Sequence, residues 1–357
     1  MLRRMTQRPR VFDPSALEED SSTPGSAGRT ERDVEASLRP VCLDEFVGQE
    51  RLLSNLRVAI QAAKARGEAL DHVLLSGPPG LGKTSLARIL AHELGTRLSS
   101  TSGPALERPR DLVGILTQLE AGDVLFLDEV HRIPAPVEEY LYTAMEDFSV
   151  DFTLDQGPHA RIVPLKLRPF TLVGATTREG LLSAPFRSRF GIAERLVPYP
   201  VEDLVRILRR SATILRVELD PAAAELIAER SRSTPRIANR FLRRVRDFAE
   251  VARSGAISRA LAGDTLARLG VDANGLEELD RRILGVMAQN PLVPVGLKTI
   301  AAAVGESEDT IEEVFEPHLL RCGFVQKTAR GRQVTARGLE VIGLDPRAAN
   351  AQGGLFR

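Results

Sequence analysis

The chain has 357 residues, more than one hydrophobic core usually holds, so two or three domains are expected. Lys plus Arg and Asp plus Glu both number 48, which excludes a generally basic nucleic-acid binder and leaves any DNA contact to a local patch. Cys42 and Cys322 lie too far apart for metal-ligand spacing, no apolar run is long enough to span a bilayer, and the basic start Met1-Leu2-Arg3-Arg4 has no apolar stretch after it, so a soluble cytoplasmic protein is expected.

Residues 1–37 mix Arg, Asp, Glu, Ser, Pro and Gly with almost no apolar periodicity and read as a disordered tail. Order begins near Leu38-Arg39-Pro40, and Leu52, Leu53, Leu56, Ala59 and Ile60 mark an amphipathic helix. His72-Val73-Leu74-Leu75 reads as a buried strand, and Leu86, Ile89, Leu90 and Leu94 recur at helical spacing. Between them stands Gly77-Pro78-Pro79-Gly80-Leu81-Gly82-Lys83-Thr84, with two glycines four residues apart before Lys and a hydroxyl residue. Glycines let backbone N–H groups converge on phosphate oxygens, and the helix start adds unpaired N–H groups. In this strand–turn–helix order Lys83 suits β- and γ-phosphates and Thr84 suits Mg²⁺, so a nucleoside triphosphate with Mg²⁺ is the expected ligand. A Gly/Pro-rich surface turn without a ligand is the bland alternative.

Asp123-Val124-Leu125-Phe126-Leu127-Asp128-Glu129 is an unbroken apolar run ending in two carboxylates, as suits a central parallel strand. Ligands gather at the carboxyl ends of such strands, where Asp128 would hold Mg²⁺ and Glu129 would orient and deprotonate water. Residues 149–169, with Asp155-Gln156-Gly157-Pro158 between β-prone stretches, read as an inserted hairpin. Phe170 to Ala175 is the next core strand, ending in Thr176-Thr177, and Pro185-Phe186-Arg187-Ser188-Arg189-Phe190-Gly191 sets two arginines in a loop. Residues 199–274 read as wholly helical; Thr234 is the expected N-cap of a helix opened by Pro235 and buried through Ile237, Phe241, Val245, Phe248 and Ala252. Arg236 in its first turn opposes the helix dipole, which suits an anionic partner or an ordinary surface arginine. Residues 275–345 hold three short helices, the third over Thr310–Arg321, and a hairpin tipped by Ala329-Arg330-Gly331-Arg332, the pattern of a winged helix-turn-helix. Lys327, Arg330 and Arg332 crowd that tip, as a phosphate contact or a solvated charged turn would; residues 346–357 look frayed.

Taken together, the phosphate loop, the Asp128-Glu129 strand end, Gly174-Ala175-Thr176-Thr177, Arg187 to Gly191, Thr234 to Arg240, Pro294-Val295-Gly296 and the terminal winged helix resemble the AAA+ ATPases, and within them the RuvB family of Holliday junction branch migration ATPases, over about residues 38–345. The resemblance implies an α/β AAA+ P-loop core with helices on both faces of a parallel sheet (38–198), a helical lid (199–274) and a winged-helix DNA-binding domain (275–345). It also assigns roles. Leu38, Arg39 and Tyr199 would border adenine and ribose; Gly80, Gly82, Lys83, Thr84 and Ser85 would hold phosphates and Mg²⁺. Asp128 and Glu129 match the metal-holding and catalytic carboxylates, Thr177 the first sensor and Arg236 the second. Arg189 matches the arginine finger that enters a neighbouring subunit's site, and Glu146-Asp147-Phe148 match a stretch near the nucleotide. Lys327, Arg330 and Arg332 match the DNA-contacting wing, and the hairpin at 149–169 matches the element that docks on RuvA.

What the resemblance implies is therefore a homo-hexameric ATP hydrolase that moves duplex DNA and Holliday junctions with RuvA, and with RuvC in a resolvasome, in recombination, repair and the SOS response, away from any membrane. Three departures stand out: Lys327 where the family commonly has Arg, a polar tip at Leu154 to His159, and the long N-terminal tail. The rivals are a clamp-loader-like or protein-remodelling AAA+ ATPase and a nucleotide-switched DNA-binding regulator.

Overall fold

The structure is a computed structural model, and it describes residues 31–153 and 162–346. Glu31–Ser37, in the first of the two units into which the chain divides, forms a seven-residue helix, α1. This corrects the expectation of a disordered tail through residue 37. Glu31 and Asp33 in its first turn favour the positive end of the helix dipole, and the Ser37 hydroxyl donates to the Val34 carbonyl at 2.8 Å.

From Leu38 the chain is one unit. Helix α2 (Glu50–Arg66) ends on Gly67, whose left-handed backbone (φ 67°) lets its N–H close the last turn on Ala63 and Lys64. The core alternates strands and helices: β1 (Val73–Ser76), α3 (Lys83–Leu94), β2 (Leu98–Ser102), α4 (Pro109–Leu116), β3 (Val124–Asp128) and α5 (Ala135–Asp147). The antiparallel hairpin β4 (Ser149–Thr153) and β5 (Ile162–Lys166) follows, with Ser149 opposite Lys166. Its tip, Leu154 to Arg161, lies outside the described residues. Then come β6 (Thr171–Thr176), α6 (Ala184–Ser188) and β7 (Ile192–Arg195).

Five of these strands make one sheet in the order β2-β3-β6-β1-β7, with every pair parallel. Because side chains alternate across a strand, Val73 and Leu75 join a core with α2 and α3, whereas Leu74 joins one with α4 and α5. Covering both faces explains why these strands read as continuous apolar runs.

The lid comprises α7 (Val201–Leu215), α8 (Pro221–Arg230), α9 (Pro235–Val251) and α10 (Arg259–Arg268), and its Leu204, Leu208 and Phe241 share the α2–α3 core. It is not wholly helical: β8 (Glu218–Leu219) and β9 (Ala256–Ile257) pair in parallel, two residues each, too short to leave a periodic trace. On α9 the buried set is Ala238, Phe241, Leu242, Val245 and Ala249, so Ala252, expected inside, is exposed. Thr234 occupies the N-cap position, but its hydroxyl donates to the Arg232 carbonyl at 3.0 Å instead of capping the helix.

The last domain has its own core of Leu276, Ile283, Leu284, Ile300, Ile311, Leu319, Phe324 and Val334. It is built from α11 (Glu278–Ala288), α12 (Leu297–Val304), α13 (Glu308–Thr310), α14 (Glu316–Arg321), the hairpin β10 (Val325–Thr328) and β11 (Gly331–Val334), and α15 (Ala336–Val341). The expected single helix over Thr310–Arg321 passes through a π-helical turn, Ile311–Phe315. Pro317 has no N–H to return to the Glu313 carbonyl, so the hydrogen-bond ladder slips register there.

Candidate functional site

The phosphate loop joins the end of β1 to the start of α3 and is built around glycines that nothing else could replace. Gly77 has φ 133°, and a Cβ there would stand 2.6 Å from the Leu196 carbonyl oxygen. Gly80 (φ 80°) faces the lid: a Cβ would lie 2.7 Å from the Thr234 methyl and 3.2 Å from the Arg236 Cβ. Gly82 (φ 109°) is the N-cap of α3. Thr84 and Ser85 follow in its first turn, where the helix N–H groups are unpaired. Lys83 is buried, and its ammonium donates to the Gly77 carbonyl at 2.6 Å and the Pro78 carbonyl at 3.0 Å. Burial lowers its pKa, while the nearby carboxylates Glu129, Asp128 and Glu313 oppose that shift. A buried cation that donates to the carbonyls of its own loop is matched to an incoming anion.

Asp128 ends β3, beside Ser102 of β2, and Glu129 follows in a left-handed conformation (φ 51°) rare for a non-glycine residue. The Glu129 N–H donates to Asp128 Oδ1 at 3.0 Å. Its carboxylate lies 3.3 Å from the Thr177 hydroxyl and 3.2 Å from His131 Nδ1. His131 has a buried side chain, burial lowers its pKa, and the same Nδ1 lies 3.0 Å from the Thr176 hydroxyl. Burial, then the Asp128 and Glu313 charges, push the Glu129 pKa up, the direction that suits a proton acceptor. A hydroxyl at Thr84 and a carboxylate at Asp128 are hard oxygen donors of the kind Mg²⁺ takes, and the glycine cradle has the shape and charge for phosphates.

The lid closes the other side. Arg236 opens α9 against Gly80, and the buried Tyr199 donates from its hydroxyl to the Leu81 carbonyl at 3.3 Å, with burial raising its pKa. Leu38 is buried with its carbonyl accepting from Arg210 at 3.0 Å; Arg39 beside it is half-buried.

Arg189 is elsewhere. It pairs with Glu146 at 2.6 Å and shares a cavity with Asp71, His72, Gly122, Phe148, Phe170 and Gly191, which precede or begin the strands. The phosphate loop, Asp128-Glu129 and Thr177 follow the strand ends. β1 alone is four residues, so the two edges are separated by more than about 10 Å. Phe148 (φ 46°) packs by ring contacts on His72 and Phe170, and Asp147 is exposed; Glu146, Asp147 and Phe148 thus gather at this strand-start edge and not at the chain's own phosphate loop.

Several residues at the site escaped sequence reasoning. Arg178, Arg187 and Arg195 line the cavity beside the loop, together with Glu312 and Glu313 from the last domain. Glu313 accepts from Thr177 at 3.2 Å across 136 residues of chain. No local pattern marks such a contact, although Arg178 directly follows Thr177. On the wing, Lys327 and Arg332 are held by carboxylates of their own domain: Lys327 lies 3.0 Å from Glu316 and 3.4 Å from Glu312, and Arg332 lies 2.7 Å from Glu316 and 3.2 Å from Glu312. Arg330 is exposed at the tip.

Comparison with known proteins finds three successive family matches along the chain. Residues 38–196 match the Holliday junction DNA helicase RuvB P-loop domain, 199–272 the RuvB AAA lid domain and 273–343 the RuvB C-terminal winged helix domain. The chain is 57% identical over 324 residues to a Holliday junction branch migration complex subunit RuvB of Myxococcus xanthus, covering 90% of this chain and 94% of that protein. It is 54% identical over 327 residues to the subunit of the same name in Flavobacterium psychrophilum, covering 91% and 96%. The solved Thermotoga maritima RuvB Holliday junction branch migration motor superposes with a TM-score of 0.79 at 49% identity, covering 87% of this chain and 99% of that one. With three successive domain matches and identities above half over nine-tenths of its length, the chain belongs to the RuvB family of AAA+ ATPases.

Proposed function

We propose that this protein is an ATP-driven DNA motor that drives Holliday junction branch migration, working as a ring of identical subunits. The observation that carries the reading is the split between the sheet edges: Lys83, Asp128, Glu129 and Thr177 gather at one, and Arg189 stands at the other. Each subunit then offers one site lacking an arginine finger and one finger for a neighbour's site. The number six is what the resemblance to the family implies.

In this reading Lys83 and the loop N–H groups hold the β- and γ-phosphates, and Arg236 reaches the γ-phosphate from the lid. Thr177 orients the attacking water and Glu129 takes its proton. Mg²⁺, held by Thr84 and Asp128, would supply charge neutralisation on the phosphates. The neighbour's Arg189 stabilises the transferring charge, with Glu146 to Phe148 shaping the surface from which it projects. Leu38, Arg39 and Tyr199 border the base and ribose. The winged helix contacts duplex phosphates through Lys327, Arg330 and Arg332, and the β4–β5 hairpin docks on a RuvA partner. RuvC as a further partner, a part in repair and the SOS response, and a cytoplasmic setting are proposed on the resemblance alone.

The test is the ATPase rate of wild type, Glu129→Gln and Arg189→Ala, with and without junction DNA plus RuvA. DNA and RuvA should raise the wild-type rate, and each variant should lose about 10³-fold or more. A mixture of the two variants should recover part of it, because their intact halves meet at shared sites. Full activity in Arg189→Ala would end the trans-finger assignment; no response to DNA and RuvA would favour a protein-remodelling ATPase.

A further inference from the structure

The last domain reaches into the ATPase site at one place. Arg178, next to Thr177, is clasped by three carboxylates of that domain: Asp309 at 2.9 Å, Glu312 at 3.0 Å and Glu313 at 2.9 Å. Glu313 also accepts from the Thr177 hydroxyl at 3.2 Å, while Glu129 lies 3.3 Å from the same oxygen. A hydroxyl carries one proton, so it serves one carboxylate at a time. Glu313 shares the cavity of about 600 Å³ with Gly77, Pro78, Pro79 and Thr177. Its charge is felt at Lys83, Glu129 and His131. The π-helical turn forced by Pro317 carries both Glu312 and Glu313, and Glu312 continues to Lys327 and Arg332 on the wing.

We propose that Glu313 is a positioning residue of the ATPase site, holding Thr177 while no γ-phosphate is present and giving it up when one arrives. The inference rests on reading this pocket as a nucleoside triphosphate site. A γ-phosphate brings negative charge to the one spot where Thr177, Glu129 and Glu313 already meet, and like charges at such range repel. ADP brings no such charge. ATP therefore loosens the winged helix from the sensor and ADP leaves it clamped. By linkage, anything that holds the winged helix away from the core favours ATP. Duplex phosphates competing for Lys327 and Arg332 loosen Glu312 from the wing and change the same clasp.

The test compares binding of a non-hydrolysable ATP analogue and of ADP to the full chain as wild type, Glu313→Gln and Glu313→Ala, by calorimetry with Mg²⁺. Gln keeps an acceptor for Thr177 and removes the charge; Ala removes both. Both variants should bind the ATP analogue about five- to tenfold more tightly, with ADP unchanged. In steady state with DNA the KM for ATP should fall by a larger factor than kcat changes. Equal shifts for both nucleotides, or none for either, overturn the proposal. Failure of wild type to bind either nucleotide would instead remove the reading of the pocket, and the proposal with it.

Discussion

Two ionic junctions between the winged-helix domain and the rest of the chain, among the described residues, differ sharply in burial. At the lid, Arg232 is 4% exposed and Asp280 fully buried, with Arg232 Nη2 2.6 Å from the carboxylate. Arg232 Nε also donates to the Gly275 carbonyl at 2.8 Å, its own carbonyl accepts from Arg321 at 2.8 Å, and the Glu277 N–H donates to Asp280 at 2.7 Å. Arg232 and Ser233 both hold left-handed backbone (φ 52° and 55°) immediately before the helix that carries Arg236. At the ATPase core, by contrast, Arg178 and its carboxylate partners remain between 23% and 55% exposed. A buried, saturated pair is hard to part because either partner left alone is an unsolvated charge. An exposed cluster is cheap to open and screened by salt. One junction therefore works as a fixed hinge beside the helix that carries Arg236, and the other as a clasp that can release.

The largest break in this comparison is Asp280→Ala. It leaves the buried Arg232 guanidinium with only the Gly275 carbonyl and the Glu277 carboxylate as polar partners among the described residues, and should cost about 3 kcal/mol in urea unfolding, with Asp280→Asn costing less. A loss under about 1 kcal/mol would mean the hinge is held by packing alone.

A pH scan sharpens the contrast on the buried side. His318, against the Asn274 carbonyl at 3.1 Å and near Arg232 and Arg321, is pushed down to about 4, chiefly by burial. Its folded pKa lies below the unfolded value near 6.5, so the unfolded chain binds the proton more readily. Stability is complete above about 6.5 and drains as pH falls toward 4, by up to about 1.4 kcal/mol per unit. Asp280 runs the other way: burial raises it to about 6 against the pull of Arg232, so this group alone favours the fold as pH falls below 6. The difference between wild type and His318→Gln isolates the histidine. Wild type should lose more stability between pH 6.5 and 4.5 by about 1–2 kcal/mol, and parallel curves would show that His318 stays unprotonated unfolded or is hydrated folded.

The smallest effect belongs to the exposed clasp. Asp309→Ala should change stability by less than about 1 kcal/mol at low salt, and by almost nothing in 1 M salt. A change as large as that of Asp280→Ala would erase the distinction between hinge and clasp.

How much of this was legible in the chain depends on how locally each feature is encoded. Gly77 to Thr84 announces itself because one turn needs its glycines, its lysine and its hydroxyl in a fixed order. Val124 to Glu129 does so because a strand buried on both faces must be apolar until it reaches the ligand edge. The β8–β9 pair was missed because two residues hold no period. The π-turn was missed because Pro317 shows where a ladder must slip, not which way it resolves. The partners of Lys327 and Arg332 were missed because Glu312 and Glu316 lie on a helix whose rotation only packing sets.

By itself the sequence determined the elements and their chemistry: a parallel sheet with a phosphate loop, two acidic strand-end residues, a helical lid and a terminal winged helix. These follow from periodicity, turn stereochemistry and residue type, which act over a few residues. Only the tertiary structure decided that Arg189 faces away from the chain's own site, that Arg232 and Asp280 meet, and that Glu313 reaches Thr177. Each of those depends on which edges and faces are brought together over tens to more than a hundred residues, and that is settled by the burial of apolar surface across the whole fold.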